Sequence, residues 1–257
     1  MSERTGGRIA LALVVMCAAL AYLGTGAMDD LDASPRNDQR RFNFTESRLT
    51  VVVDGDGELR LERERGHELV VTRELAGAAA KQDNANWALD RDTLRLSAHC
   101  PGIVINCRGA YVVKVPSGID VSVMSPGSVT VVGLLCALRI STETGDVRLE
   151  RTSGTLRLRS DSGRIHLVDA RSADVDARTR RAPLSLAFAR PPVHVVAISD
   201  AGDVNVKVPS APAQYRVDGT AGNAAGVRVD IADVPSATRS IVARTDKGVA
   251  RVREAEK

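Results

Sequence analysis

Aromatic side chains are scarce, at 3% of 257 residues with a single tryptophan. That shortage excludes a core built on large rings, while the plentiful Val, Leu and Ala suit thin aliphatic layers. Catalytic signatures are missing as well. No G-x-S-x-G, H-E-x-x-H or G-x-x-x-x-G-K-[ST] occurs, so no motif points to a nucleophile-elbow hydrolase, a zinc peptidase of that class or a phosphate-cradling loop. The formal net charge of +3 is too small to argue for nucleic acid, and no such partner is expected. His67, His99, His166 and His194 stand far apart in the sequence. They form no metal motif, and no cofactor is expected.

What the sequence has instead is a repeat. From Lys114 to Leu167 it divides into nines: KVPSGIDVS, VMSPGSVTV, VGLLCALRI, STETGDVRL, ERTSGTLRL, RSDSGRIHL. Gly118, Gly127, Gly145, Gly154 and Gly163 take the fifth place, and Cys136 takes it in the third row. From the second row on, apolar residues fill the seventh and ninth places: Val129 and Val131, Leu138 and Ile140, Val147 and Leu149, Leu156 and Leu158, Ile165 and Leu167. Outlying copies of the signature carry Gly57, Gly202 and Gly248. A glycine tolerates positive φ and suits a tight turn, and the triplet after it has the period of a half-buried strand.

One row cannot cover its own apolar face, but stacked rows can. The repeat therefore predicts an all-β solenoid of the single-stranded right-handed β-helix or β-roll type. Each strand-plus-turn takes about nine residues and each coil two of them, so every strand lies parallel to the strand two rows on. An antiparallel β-meander gives the same alternation and is the alternative.

Taken in order, residues 1–28 hold an apolar run, IALALVVMCAALAYLGTGAM, behind Arg4 and Arg8 and ahead of Asp29 and Asp30. Its ~30 Å helical length just spans a bilayer. A transmembrane anchor with the C-terminal part outside the cytoplasm is expected; a signal peptide cleaved near Thr25-Gly26-Ala27, giving a secreted protein, is the alternative. Residues 29–41 read as a linker, 42–253 as the β-repeat domain and 254–257 as a tail. Within the domain, 74–92 reads as a loop anchored by Trp87 and Leu89, and 209–226 as a longer loop around Tyr215-Arg-Val217.

Cys100 and Cys107 flank a short bend at Pro101-Gly102, and in an exported chain they are expected to form a disulfide. A metal site there would have only His99 to add. Cys136 reads as a buried free thiol. Aspartates beside turn glycines (Asp54, Asp56, Asp146, Asp203) invite calcium, but Thr155 and Arg164 take the corresponding places in the next rows, so turn formation is the default and no metal is expected.

Laid out this way, STETGDVRL (141–149), SDSGRIHL (160–167), SDAGDVNV (199–206), the C-P-G…N-C loop (100–107), LAFARPP (186–192) and RTDKGVARV (244–252) resemble a bacterial family of β-strand-repeat proteins of unknown function often labelled adhesins, in its actinobacterial form. The likeness covers residues 42–253. It implies an exported β-solenoid, often membrane-anchored and sometimes linked to envelope stress, and it brings no catalytic residues. Cys136, Ala182 and Ala225 depart from it where a turn glycine is usual.

The expected role is non-enzymatic: a surface scaffold or adhesin-like binding module at the cell envelope, with a wall polymer or an envelope protein as partner. A membrane-anchored stress sensor acting through a protein partner is the alternative, since only eight residues precede the apolar run. A polysaccharide-active enzyme ranks third, because the polar strand places Thr130, Arg139, Arg148, Arg157 and His166 contain no carboxylate pair. Those arginines suit an anionic partner or a solvated face. Two rows per coil would split them, Arg139 and Arg157 on one outer surface and Arg148 and His166 on the other, so only weak, salt-sensitive polyanion binding is expected. No oligomeric state follows from the sequence.

Overall fold

Period-two alternation puts Val and Leu on one side of each strand, and that side needs a second layer to cover it. The computed structural model, which describes residues 34–55, 57–81, 84–100, 106–210, 213–222 and 226–255, supplies two sheets sharing one aliphatic core. In chain order the strands are β1 (Arg36–Asn43), β2 (Arg48–Asp54), β3 (Glu58–Arg63), β4 (Glu68–Gly77), β5 (Ala85–Asp90), β6 (Thr93–Ala98) and β7 (Cys107–Val115). The repeat follows as β8 (Asp120–Ser125), β9 (Val129–Val132), β10 (Leu138–Thr142), β11 (Val147–Glu150), β12 (Leu156–Ser160), β13 (Ile165–Ala170), β14 (Asp174–Thr179) and β15 (Leu184–Phe188). The chain closes with β16 (His194–Ser199), β17 (Val204–Val208), β18 (Tyr215–Ala221), β19 (Val227–Val229), β20 (Arg239–Thr245) and β21 (Ala250–Glu254). No α-helix occurs among the described residues.

The first sheet has the order β1-β4-β7-β3-β9-β11-β13-β15-β17-β21-β19, and the second the order β18-β20-β16-β14-β12-β10-β8-β2-β6-β5. Through the repeat the chain alternates between them. β11 lies parallel between β9 and β13, with Val147 opposite Val129 and Ile165. β12 lies parallel between β10 and β14, with Leu156 opposite Leu138 and Val175. Antiparallel pairing, the mode a meander uses, joins β1 to β4, β4 to β7 and β5 to β6. Both sheets are therefore mixed.

The seventh and ninth places supply the middle of the core. Val129, Val131, Leu138, Ile140, Val147, Leu149, Leu156, Leu158, Ile165 and Leu167 are none of them more than 2% exposed. Each such side chain contributes ~1.5–3 kcal/mol by leaving water.

The turn glycines meet a different need from the positive φ the sequence suggests. Of the eight, only Gly118 and Gly154 have it, at 86° and 99°. Gly57, Gly127, Gly145, Gly163, Gly202 and Gly248 instead form a column along one edge of the stack, each two residues ahead of the first buried residue of a first-sheet strand. A Cβ on Gly127 would run into the Gly57 carbonyl, on Gly145 into the Gly127 backbone and on Gly163 into the Gly145 carbonyl. Close backbone approach between successive corners is the reason for glycine here. Ala182 holds the place between Gly163 and Gly202, and the Gly202 corner packs on its backbone.

Buried hydroxyls three residues ahead of this column tie the corners together. Ser160 Oγ accepts the Gly163 N–H at 2.9 Å, and Ser199 Oγ accepts the Gly202 N–H at 2.8 Å while donating to the Ala182 carbonyl at 2.9 Å. Thr245 Oγ1 accepts from Gly248 at 3.0 Å and donates to Gly202 at 2.8 Å. Every such bond satisfies a group that could not otherwise be buried, for a net ~1 kcal/mol.

The two ends of the stack depart from the sequence reading. Residues 36–41, read as linker, belong to β1, which pairs with β4 over its whole length. An edge strand gains main-chain hydrogen bonds without burying a face, so its polar sequence carries no strand pattern. The stretch 74–92, read as a loop, holds the end of β4, a 3-10 turn at Ala78–Ala80 and β5. Trp87 of β5 is 6% exposed and lies between Arg73 and Arg40, at 4.4 and 5.2 Å from ring centroid to guanidinium carbon. Arg73, itself buried, reaches Asp38 at 2.9 Å and the Ala85 carbonyl at 3.1 Å.

At the other end, the segment read as a long loop contains β18. The chain lays down β18 and β19 and then returns, so that β20 fits between β16 and β18 and β21 between β17 and β19. The expected membrane anchor or signal segment, 1–28, lies outside the described residues. Among those described, no helix is long and apolar enough to cross a membrane.

Candidate binding face

With the apolar places turned inward, the even places of every strand form two outer faces. On the first sheet Thr130, Arg148 and His166 stand side by side. Charge is neutralised around Arg148 and Arg60. Arg148 Nε holds Glu150 at 2.7 Å and Arg60 Nε holds Glu62 at 2.6 Å. A second nitrogen of Arg148 lies 3.0 Å from His166 Nδ1. Burial, and then the Arg148 charge, lowers the His166 pKa below its ordinary 6.5, so the imidazole is neutral and able to accept this bond.

The second sheet differs. Arg139 of β10 lies opposite Arg157 of β12 on one side and Ser122 of β8 on the other, and Ser122 lies opposite Thr50 of β2. Arg48, one alternation along β2, lies opposite Asp120. These residues line a shallow groove of about 340 Å³. Arg48, Arg139 and Arg157 are exposed, and none has an ion-pair partner among the described residues. Asp176, directly across from Arg157, is taken by Arg159 at 2.9 and 3.1 Å and by Arg178 at 2.9 Å. Asp120 Oδ1 accepts the Ala137 N–H at 3.0 Å. The groove thus holds three arginines against one carboxylate.

Arg139 and Arg157 accordingly share one face, and Arg148 and His166 share the other. Arg48, Thr50 and Ser122 carried no signal. β2 lies outside the nine-residue register, and only the insertion of that strand beside β8 brings it to the groove. Two of the turn aspartates act as acceptors between successive corners: Asp146 takes the Arg164 N–H at 2.7 Å and Asp203 the Val249 N–H at 2.8 Å. Asp56 lies outside the described residues. No group of three or more His, Cys, Asp or Glu suited to a metal occurs among those described.

Cys100 and Cys107 are bonded, with Cα atoms 6.2 Å apart, a normal span for a disulfide. Cys136 is free and half-buried rather than buried. Burial, and then the charge of Asp120, pushes its thiol up to about 11, which leaves it unreactive at neutral pH.

No protein-family profile and no curated protein matches the sequence. Solved structures do. A candidate adhesin from Parabacteroides distasonis is similar over 88% of this chain and 98% of its own, at 11% identity and a TM-score of 0.49. A candidate adhesin from Bacteroides fragilis is similar over 87% and 99%, at 14% identity and 0.47. A candidate lipid-binding protein from Parabacteroides distasonis is similar over 86% and 97%, at 10% identity and 0.45. Both organisms are Bacteroidetes, and the actinobacterial form expected from the motifs has no support here.

Proposed function

We propose that this chain is a non-enzymatic binding scaffold of the cell envelope, adhesin-like in that it presents a surface rather than a pocket. The β domain of residues 42–253, with its edge strand from Arg36, winds as a right-handed solenoid of two rows per coil, held outside the cytoplasm by the apolar segment 1–28 or released after its cleavage. The parallel pairing of each strand with the strand two rows on supports the winding, and the Cys100–Cys107 disulfide suits an oxidising compartment.

One observation carries the binding role: the register of the stack sets long polar side chains shoulder to shoulder on an outer face, with Arg139 and Arg157 left without carboxylates. Such a row suits an extended anionic partner such as a wall polymer. Fractionation of cells producing the full chain, followed by co-sedimentation of the purified domain with isolated envelopes, tests it. Recovery in the cytosol with no envelope co-sedimentation would refute the proposal. A second reading, a regulator working through an envelope protein, is favoured by the open edge of β19, which pairs with β21 alone. Strand addition to such an edge is a common mode of peptide recognition.

A further inference from the structure

We propose that the groove across β2, β8, β10 and β12 binds a linear polymer of phosphate groups through Arg48, Arg139 and Arg157. The inference rests on the binding-scaffold reading and names its ligand chemistry.

The argument begins with unused donors. Several arginines on or beside the same sheet are matched within the fold, Arg159 and Arg178 by Asp176, Arg180 by Asp161 and Arg244 by Asp218, while Arg95 and Arg216 stand singly on other strands. Arg139 and Arg157 are neighbours in register, and the acid beside Arg157 is already saturated. Two like charges on adjacent strands ~4.8 Å apart repel each other, and an anion bridging them removes that cost.

Donor count then selects the anion. One guanidinium fork satisfies both oxygens of a carboxylate, whereas two forks on adjacent strands beside the Ser122 hydroxyl offer more donors than a carboxylate can use. A phosphate group, with oxygens on several sides, matches them. Length selects a polymer. Thr50, Ser122, Arg139 and Arg157 lie at one level on four adjacent strands, a line of ~14 Å at ordinary strand spacing. That exceeds a single anion. Arg48 adds a charge at the β2 end, and Asp120 lowers the potential locally without closing the groove.

The test uses the purified exported chain with long-chain polyphosphate as probe, and inorganic phosphate, dextran sulfate and polyglutamate as comparators. Polyphosphate should bind at low salt, and the Arg139→Gln/Arg157→Gln pair should weaken it about tenfold or more. The slope of log affinity against log salt should flatten by about two. Arg148→Gln, on the opposite face, should leave affinity within about twofold. Both arginines are exposed, so circular dichroism should show both variants folded. An unchanged affinity in the double variant, an equal loss in Arg148→Gln, or no polyphosphate binding at all would overturn the site. Equal affinity for dextran sulfate or polyglutamate would overturn the phosphate assignment, and equal affinity for inorganic phosphate would overturn the polymer. Loss of envelope co-sedimentation with polyphosphate binding intact would instead sink the scaffold role and leave the groove standing.

Discussion

The two ends of the stack solve the same problem differently. Two sheets packed face to face leave an apolar cross-section and two rows of unpaired main-chain groups at each end. At the N-terminal end, β1 and β5 turn antiparallel, and Trp87, Arg40, Arg73 and Asp38 close the cross-section with one ring and a chain of charges. At the C-terminal end the sheets finish on two more strands, with Asp233 and Val234 crossing only the start of β18. β18 and β19 continue the parallel pairing, and Val217, Val227, Val229 and Ile231 are left half-buried. A closed end is built from the residues that interrupt the repeat; an open end is the repeat simply stopping.

Trp87→Ala should cost most, ~3–5 kcal/mol, because it empties the cap, while Ile231→Ala at the open end should cost less than ~1. Urea titration of both variants decides whether the ends differ, and equal losses would erase the contrast. Gly145→Ala comes next. Its corner has other corners on both sides and cannot yield, so overpacking should cost about 3 kcal/mol, whereas Gly222→Ala, whose Cβ would meet the Asp246 carbonyl, can push the terminal strands outward for about 1 kcal/mol. Melting temperatures of the two would show the order, and a more damaging Gly222→Ala would break it.

Reducing Cys100–Cys107 should remove ~2–3 kcal/mol in the chain-entropy picture. The bond sits where β7 begins its pairing with β4. Hydrogen exchange should therefore speed up in β4 and β7 and leave β18 as it was; faster exchange at β18 would contradict this. The smallest effect is acid loosening of the cap. The Arg73 hydrogen bond, aided by the Arg36 and Arg73 charges, holds the Asp38 carboxyl below its ordinary 3.8. A depressed acid stabilises fully above that value and loses its contribution as pH falls through the folded pKa. Fluorescence of Trp87, the single tryptophan, should shift below about pH 4, ahead of the far-ultraviolet signal, and the lead should vanish in Asp38→Asn. Coincident transitions in the parent protein would remove the cap's independence.

Local period made the middle of this fold readable. Leu156 and Leu158 had to face inward because nothing else in their row could, and the eighteen-residue step from Leu138 to Leu156 already implied pairing two rows on. What sequence spacing could not carry was insertion. β3 lies between β7 and β9, and β2 beside β8, across tens of residues with no shared register, so half of the groove was invisible. Glycine positions were legible and their cause was not. A residue chosen for lack of a Cβ looks the same on paper as one chosen for positive φ. Polar β1 failed for a third reason, since an edge strand need not alternate.

The late return of β20 and β21 into the interior has a consequence for how the molecule is made. A ribosome releases β18 and β19 before the strands that must support them exist, so this last pair cannot dock on its final neighbours until the residues through Glu254 have emerged. Shortening an ordinary pile of coils from its end merely lowers its height. Here, cutting after β19 would take out an inner storey and leave the roof without walls. A chain stopped at Asp230 should expose β18 and β19 to protease while β8 to β17 stay protected; protection of β18 in that fragment would show that the roof can settle directly on β16.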